Sequence, residues 1–360
     1  MRTDGRSRTL AAVSLTLVGA LWSGGVVPAR ADAAGADARI DASSSERVGE
    51  SVLIRHRGHH PFNALFGLPS VAARSGSGSH WQVALEQGNN FAGGREGDEA
   101  LLMDGESGEL VLRHGRPLGK CWQGEAVVPL VFHHGGWADR AIDDWHQRFG
   151  LPDAARDESA PFDLRYAYVA SDGETYRLDE QVVGPGDVHL ALQRSVGCGA
   201  GTGVVGGTGA SAVVRFGVKL PSGDVDRLLG SGATDVYVDV LSPVLRAGSR
   251  LRLAASAGGL VVGESKLFER QRRFVGYGSF GLSLRLLPRW ELLLQSDWHT
   301  PFHDSELREL GAFAASLAGG VRYGVARGQR VELVIAEDAV IDTYPDIVAR
   351  LAWTWSGTGR

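Results

Sequence analysis

Apolar side chains occupy every second position along most of the chain after residue 80. Residues 235–241 are a clear example, because Val236, Val238 and Val240 are separated there by polar or aromatic residues. A period of two is typical of β-strands with one apolar face and one polar or small face. The same alternation recurs in residues 162–168, 214–219, 250–253, 280–287, 290–298, 313–323 and 347–355. The pattern therefore predicts an all-β protein.

A soluble β-sandwich shows the same alternation, so other features must decide the architecture. Several alternating stretches reach about ten residues, which crosses a bilayer with tilt, whereas globular strands average about five or six. Charged residues recur on the polar face, which is costly in a packed core but natural in a wet lumen. We therefore expect a transmembrane antiparallel up-and-down β-barrel of about 12–14 strands. Aromatic residues near the predicted strand ends suit membrane interfaces; they are Trp290, Trp298, Tyr323, Trp353 and Trp355.

The first residues predict export. Three arginines precede an apolar stretch over residues 10–27, and Ala29-Arg30-Ala31 supplies the small residues that signal peptidase accepts. Residues 1–31 are therefore predicted to be a cleaved signal peptide, and glycines with Pro28 disfavour the alternative of an anchor helix. Residues 32–58 lack an apolar period and are predicted to be a flexible leader. The barrel is expected over residues 59–360.

Later apolar runs are too short for a transmembrane helix of about twenty residues, which leaves a periplasmic, secreted or closed-barrel protein. With the alternation, this predicts the outer membrane of a Gram-negative bacterium, with outer-membrane lipid as a partner. Barrel-assembly machinery is a second expected partner, because it reads a terminal strand that ends in aromatic residues. Here Trp355 is followed by five residues, a departure from the usual terminal aromatic.

One segment departs from the β pattern. Trp137, Ala141, Trp145 and Phe149 recur every fourth residue, which predicts a short amphipathic helix near residues 137–149. Gly150 and Pro152 would end it. We expect this helix to lie in a long loop as a cap or partial plug.

The same helix carries the candidate catalytic residues. Asp139, Asp143 and His146 share one face, as a carboxylate–imidazole cluster for acid–base chemistry or a metal would require. Acidic residues near a helix start and a histidine near its end also complement the helix dipole. That explanation is sufficient, so no catalytic residue is assigned and an enzyme is the less favoured interpretation.

The charged positions of the strands are expected to line the lumen. Because rings of charge in a narrow polar pore select ions by sign, these residues are predicted to set the ion preference of a channel. The predicted lumen-lining residues are Arg215, Lys219, Asp239, Arg252 and Arg285.

Composition excludes some partners and leaves others open. The formal net charge of −5 at pH 7 removes the basic footprint of a nucleic-acid-binding protein. Zinc sites need three or four ligands at recognised spacing, so we interpret His56, His59, His60 and the His133-His134 pair as adventitious loop residues. No metal site and no cofactor is predicted.

The chain has two cysteines, Cys121 and Cys198. They could pair in an oxidising compartment, but cysteines so far apart in sequence prove nothing. Unpaired thiols are the favoured interpretation.

The most distinctive passage is Lys219-Leu220-Pro221-Ser222-Gly223-Asp224 followed by Leu229-Gly230-Ser231-Gly232-Ala233. It predicts a strand that stops at a turn, a folded loop and a return into the next strand. The passage is similar to one shared by several proteobacterial outer-membrane barrel families, including those linked to uptake of aromatic compounds.

Further stretches narrow the resemblance to the DUF3187 family of uncharacterised proteobacterial proteins, of the outer-membrane β-barrel type. The resemblance spans roughly residue 60 to the C-terminus, and implies the barrel architecture without an activity. The stretches that carry it are His60-Pro61-Phe62, Phe66-Gly67-Leu68-Pro69, Met103-Asp104-Gly105-Glu106, Ile142-Asp143-Asp144-Trp145-His146, Phe149-Gly150-Leu151-Pro152 and Ala336-Glu337-Asp338.

Three functions remain in competition. A channel or transporter for small solutes leads, because the predicted lumen face is charged and no catalytic set is visible. An outer-membrane hydrolase or lipid-modifying enzyme would need a defined cluster at the lumen mouth or on the lipid face. A structural barrel with no transport role is the third.

Overall fold

The alternating stretches form β-strands in the computed structural model, which describes residues 51–71, 78–136, 164–198, 211–265, 267, 270–340 and 343–356. The strands are β1 (His80–Glu96), β2 (Glu99–Pro117), β3 (Trp122–His134), β4 (Arg165–Val169), β5 (Thr175–Leu178), β6 (Val182–Pro185), β7 (Val188–Ser195), β8 (Val213–Leu220), β9 (Asp235–Leu241), β10 (Leu245–Ala247), β11 (Leu251–Val261), β12 (Phe274–Leu287), β13 (Trp290–His299), β14 (Ala314–Ala326), β15 (Gln329–Asp338) and β16 (Ile347–Ser356). A 3-10 turn, Val225–Arg227, and a short helix α1, Arg308–Gly311, lie in connections.

Twelve of the strands form a closed antiparallel barrel. The ring closes between the first and the last strand, which pair from His80 opposite Ser356 to Asn89 opposite Ile347. This confirms the predicted barrel and places its strand number at the lower end of the expected range. The order around the ring is β1, β2, β3, β7, β8, β9, β11, β12, β13, β14, β15 and β16.

Each barrel strand has an apolar outer face and a mainly polar inner face. In β9, Val236, Val238 and Val240 are 52%, 43% and 46% exposed, whereas the alternating Tyr237 and Asp239 are 4% and 2% exposed. A face of exposed valines suits contact with lipid chains, because those chains are as apolar as the side chains. The period of two therefore separates a lipid-facing surface from the interior.

The two ends of the barrel differ. Short connections join β2 to β3, β12 to β13 and β14 to β15 at one end, which we call the turn end. The longer connections from β8 to β9, β11 to β12 and β13 to β14 lie at the opposite, loop end, where β1 and β2 are joined by a short hairpin turn. Trp290 packs against Tyr323 at the turn end, with ring centroids 4.7 Å apart, and Trp298 packs against Phe313 at the loop end. Aromatic pairs at both ends fit the interfacial positions expected from the sequence.

The alternating stretch predicted at residues 162–168 is described from residue 164 and differs from the others. This described part supplies most of β4, which pairs with the loop-end part of β2 and lies outside the ring of twelve. The apolar face of β4, with Tyr166 and Tyr168 at 0% and 7% exposure, is buried in the molecule instead of facing lipid. Alternation gives the period of a strand but not the side on which its apolar face packs.

Residues 51–71 lie inside the barrel, and we call this segment the plug. For residues 51–58 this differs from the flexible leader expected from the sequence, since Arg55 and His56 are buried against the barrel wall. Ser51 O accepts a hydrogen bond from Arg322 of β14, near the turn end, while Gly67 N donates to Asp235 of β9 at the loop end. The segment then returns, because Arg55 Nε donates to Val71 O at 3.1 Å. The plug is therefore a hairpin. Its tip lies at the loop end, and both of its arms run toward the turn end.

The two cysteines form a disulfide, which corrects the expectation of free thiols. Cys121 precedes β3 and Cys198 follows β7, and the two strands pair from Trp122 opposite Arg194. The distance in sequence is bridged by strand neighbours in the barrel, with the two Cα atoms 5.5 Å apart.

No helix in the part of the chain that the structure describes is long and apolar enough to span a membrane.

Candidate functional site

The lumen and its plug form the candidate functional site. On the first arm, the side-chain amide of Gln295 pairs with both backbone groups of Ile54, which donates at 2.6 Å and accepts at 3.1 Å. Next to it, Arg55 forms an ion pair with Glu125 of β3, and His56 Nε2 lies 2.7 Å from Asp297 Oδ2 of β13. The wall therefore satisfies both the backbone and the charges of this arm.

Halfway along the lumen, the plug meets two buried glutamates. Glu86 Oε2 of β1 accepts a hydrogen bond from Arg57 N at 3.0 Å and lies 3.3 Å from His59 Nε2. Arg57 Nη1 also reaches Glu109 Oε2 of β2 at 3.4 Å, and Arg350 of β16 holds the other oxygen of Glu86 at 3.0 Å. Three strands and two plug residues thus share one charged cluster.

The tip of the plug is fastened by Lys219, at the end of β8. Its ammonium donates to Leu65 O at 3.2 Å and to Asp187 Oδ2 at 2.7 Å, and it also contacts Ser231 and Asp235. Lys219 is fully buried, so these contacts replace the water that its charge would otherwise require. The distinctive passage between β8 and β9 is therefore the part of the wall that binds the plug tip.

Apolar packing adds to these contacts at the loop end. Phe66 stacks on Phe302 with ring centroids 5.0 Å apart, and Phe62 packs against Tyr176 and Tyr168. His60 belongs to the same packing, and burial lowers its pKa to about 3, so its imidazole is neutral near pH 7. At the loop end, this apolar packing thus lies beside the ionic cluster of Lys219, Asp187 and Asp235.

On the turn-end side of the apolar region, the wall carries a continuous series of ion pairs that we call the charge ladder. Arg322 Nε lies 2.7 Å from Glu332 Oε1, and Arg252 Nη2 lies 2.8 Å from Glu291 Oε2. Arg322 and Glu332 lie on adjacent strands, and Arg252 reaches Glu291 across β12, so each guanidinium meets a carboxylate within the lumen. From β1 to β11, the ladder consists of Glu86, Arg350, Glu332, Arg322, Glu291 and Arg252.

The predicted lumen-lining residues can now be placed. Arg215 and Asp239 pair with each other on β8 and β9, with Arg215 Nε 3.0 Å from Asp239 Oδ2. Arg252 belongs to the charge ladder, and Arg285 lies 3.8 Å from Glu291 near the turn end. Lys219 binds the plug tip, so all five predicted residues are paired with groups of the wall or of the plug.

The candidate catalytic residues Asp139, Asp143 and His146, and the helix predicted near 137–149, lie outside the described residues.

Several interior residues were missed by the sequence reasoning. The plug residues His56, His59 and His60 are buried, not adventitious loop residues. Arg113 of β2 is also buried, and its Nε and Nη2 have no hydrogen-bond partner among the described residues. Alternation signals Arg113 as inward-facing, since Leu110 and Leu112 on the same strand are exposed, but the plug histidines carry no such local signal.

A small cavity lies between the plug and the wall. Arg57, His59 and Glu109 line one side, and His133, Asp187, His189 and Lys219 are among its other lining residues. It offers 30 Å³ to a water-sized sphere, where about 10–15 Å³ holds one water. In this conformation the cavity accommodates water or an ion, not a larger solute.

The chain belongs to a family of outer-membrane barrel type. Its sequence matches the family described as protein of unknown function DUF3187 over residues 40–356. The match covers most of the chain, so the chain is a member of DUF3187. No match was found among curated proteins.

A solved structure shows the same fold. The COG4313 outer membrane channel from Pseudomonas putida F1 superposes with a TM-score of 0.52 at 11% identity, over 82% of this chain and 98% of that one. The toluene transporter TodX of P. putida gives 0.38 at 12% identity, over 79% and 92% of the two chains. The first similarity establishes the outer-membrane barrel fold and nothing about the solute.

Proposed function

We propose that this chain is an outer-membrane channel or transporter for small solutes, closed by its plug in the conformation described. The observation that carries the proposal is the hairpin course of residues 51–71, whose two arms both run toward the turn end. A hairpin of this kind can leave the lumen without any residue being threaded through the barrel. The wall would remain closed by its own strand pairing, which does not include the plug.

The contacts between plug and wall are of a kind that water can replace. The first arm is held mainly by ion pairs and hydrogen bonds, among them Arg55 with Glu125 and His56 with Asp297. Buried ion pairs add little net stability, because the desolvation of both charges offsets much of their attraction. A wetted lumen would solvate the same groups, so the open state is reachable at modest cost.

The lumen wall would suit polar solutes once the plug has moved. The charge ladder and the Arg215–Asp239 pair face the interior, and an open barrel with a charged lumen is the arrangement of solute channels. Similarity of fold to an outer membrane channel supports the proposal.

A structural barrel is the second candidate, and one observation favours it. Phe62 and Phe66 pack the plug tip into an apolar cluster at the loop end, which opposes departure of the plug. The hydrolase or lipid-modifying alternative stays a hypothesis, because its candidate residues Asp139, Asp143 and His146 lie outside the described residues.

Planar bilayer recording of Glu125→Gln tests the proposal. This change removes the carboxylate partner of Arg55 while keeping the side-chain volume, so the first arm loses an ion pair and the open state should be visited more often. We expect more frequent conductance steps than in the unaltered protein, with the same step size. Arg177→Ala is the matched control, because Arg177 and Asp179 form an ion pair whose side chains are 65% and 49% exposed. Absence of conductance in the unaltered protein, in Glu125→Gln and in Arg177→Ala would favour the structural barrel.

A further inference from the structure

Three ligand-bearing side chains from three separate segments meet beside the plug cavity. His59 comes from the plug, Glu86 from β1 and Glu109 from β2, and one ligand atom from each lies within 4.8 Å of the other two. All three residues are nearly fully buried, at 4%, 0% and 4% exposure. One imidazole and two carboxylates are ligands that divalent transition metals accept.

Two polar atoms around the same cavity have no hydrogen-bond partner among the described residues. They are Glu109 Oε1, within the cluster, and Nε2 of His189 on β7, which lines the cavity with His59 and Glu109. A buried polar atom left without a partner costs about 1–3 kcal/mol. A positive ion would satisfy the carboxylate oxygen and offer the imidazole nitrogen a place in its coordination sphere, directly or through water.

We propose that His59, Glu86 and Glu109 bind one divalent transition-metal ion of the zinc type between the plug and the barrel wall. The three ligand atoms lie within 4.8 Å of one another, and metal–ligand bonds of about 2.0–2.2 Å to nitrogen and oxygen need them to move closer together around the ion. The two carboxylates supply negative charge that matches the ion.

The arginines around the cluster leave room for this arrangement. Arg57 Nη1 contacts Glu109 at the long distance of 3.4 Å, while its Nη2 donates to Ala64 O at 2.9 Å and to Phe66 O. The guanidinium therefore keeps its carbonyl partners within the plug when Glu109 turns to the ion. Arg350 holds Glu86 through Oε1, whereas His59 and Arg57 N approach Oε2, the oxygen nearer the proposed ion.

Such an ion would join the plug to β1 and β2. Metal coordination would add bonds between segments that otherwise meet through hydrogen bonds and ion pairs, and the plug would be held more firmly. The binding site exists whether or not the barrel conducts, but a role for the ion in gating rests on the proposed channel function.

Zinc binding by the purified full chain in detergent micelles tests the site. After removal of metals with a chelator, equilibrium dialysis against zinc and elemental analysis should give one zinc ion per chain. Loss of a residue that only hydrogen-bonds to a metal ligand weakens metal binding by about 10–100-fold. Glu109→Gln and His59→Asn remove a ligand itself, so they should weaken zinc binding by at least about 100-fold. Arg177→Ala is the control, because Arg177 pairs with the exposed Asp179 outside the cluster and the plug, and it should bind zinc like the unaltered chain.

A second readout separates loss of the ligand from loss of the fold. Zinc should slow hydrogen exchange of residues 51–71 in the unaltered chain and in Arg177→Ala, and leave it unchanged in Glu109→Gln. The difference in gel migration between unheated, folded barrel and heat-unfolded chain should be the same in all variants. Zinc binding that is equal in Glu109→Gln, His59→Asn and the unaltered chain would overturn the proposal, as would absence of binding to the unaltered chain. Neither readout depends on conductance, so failure of the channel proposal would not affect them.

Discussion

At the scale of single residues, buried charges determine how the plug is held. Lys219 has no exposed surface, and its ammonium links Leu65 of the plug to Asp187 and Asp235 at the ends of two strands. Asp187 also accepts from the backbone of Gly223 and Ser231, so one cation organises the loop between β8 and β9. A close approach explains one glycine there, because a Cβ at Gly230 would lie 2.3 Å from Asp187 Oδ1.

Lys219→Met tests this assignment. The substitution keeps an unbranched chain of similar length but leaves two buried carboxylates without their cation. Removal of one partner from a buried ion pair costs about 3–5 kcal/mol, so urea should unfold the refolded protein in lipid vesicles at clearly lower concentration. Arg177→Ala, in the exposed pair, should change the free energy of unfolding by less than about 0.5 kcal/mol. An equal effect of both changes would show that Lys219 is not the centre of this loop.

At the scale of elements, the strands were predictable and the plug was not. Lipid imposes an apolar residue at every second position of a barrel strand, so β8, β9 and β12–β16 are visible in short windows of sequence. The plug depends on partners that are distant in the chain, since Arg55 binds Glu125 and His56 binds Asp297. Because a short window of sequence does not contain those partners, residues 51–58 were predicted to be part of a flexible leader. The disulfide was missed for the same reason, because only the pairing of β3 with β7 brings Cys121 to Cys198.

Spin labels on single cysteines test the orientation of the barrel strands. Leu294 and Leu333 are 44% and 50% exposed, and Ser283 is fully buried toward the lumen. In vesicles, labels at 294 and 333 should be accessible to oxygen and shielded from a water-soluble nickel reagent, because they contact lipid. A label at 283 should be shielded from both, because the plug side of the wall is packed. The native cysteines form a disulfide and take no label. Nickel access at 294 and 333 would reverse the assignment of the faces.

At the scale of the whole molecule, a closed ring of strands surrounds a lumen that its own N-terminal segment fills. The candidate site was predictable only in part from the sequence. Inward-facing Arg215, Lys219, Asp239 and Arg252 follow from alternation, but their pairing follows from which strands are neighbours around the ring. Pairing also changes their expected role, because a compensated charge such as Arg252 beside Glu291 contributes less field to a pore than an isolated one.

The central claim is that movement of the plug controls passage through the barrel, and a reversible cross-link tests it most directly. A Cβ built at Gly88 of β1 lies 3.2 Å from His59 Cβ of the plug, close to the separation of about 3.5–4.5 Å in a disulfide. The variant Gly88→Cys with His59→Cys is made with Cys121→Ser and Cys198→Ser, so that only the new pair responds to a reductant. Gly88→Cys with His59→Ser, in the same background, is the control that cannot form the cross-link.

In planar bilayers, the account predicts silence of the oxidised cross-linked protein and discrete conductance steps after addition of a reductant. The control should show steps of the same size before and after reduction. Equal conductance of the cross-linked protein in its oxidised and reduced states would contradict control by the plug, and silence of the reduced protein and the control would contradict the channel itself.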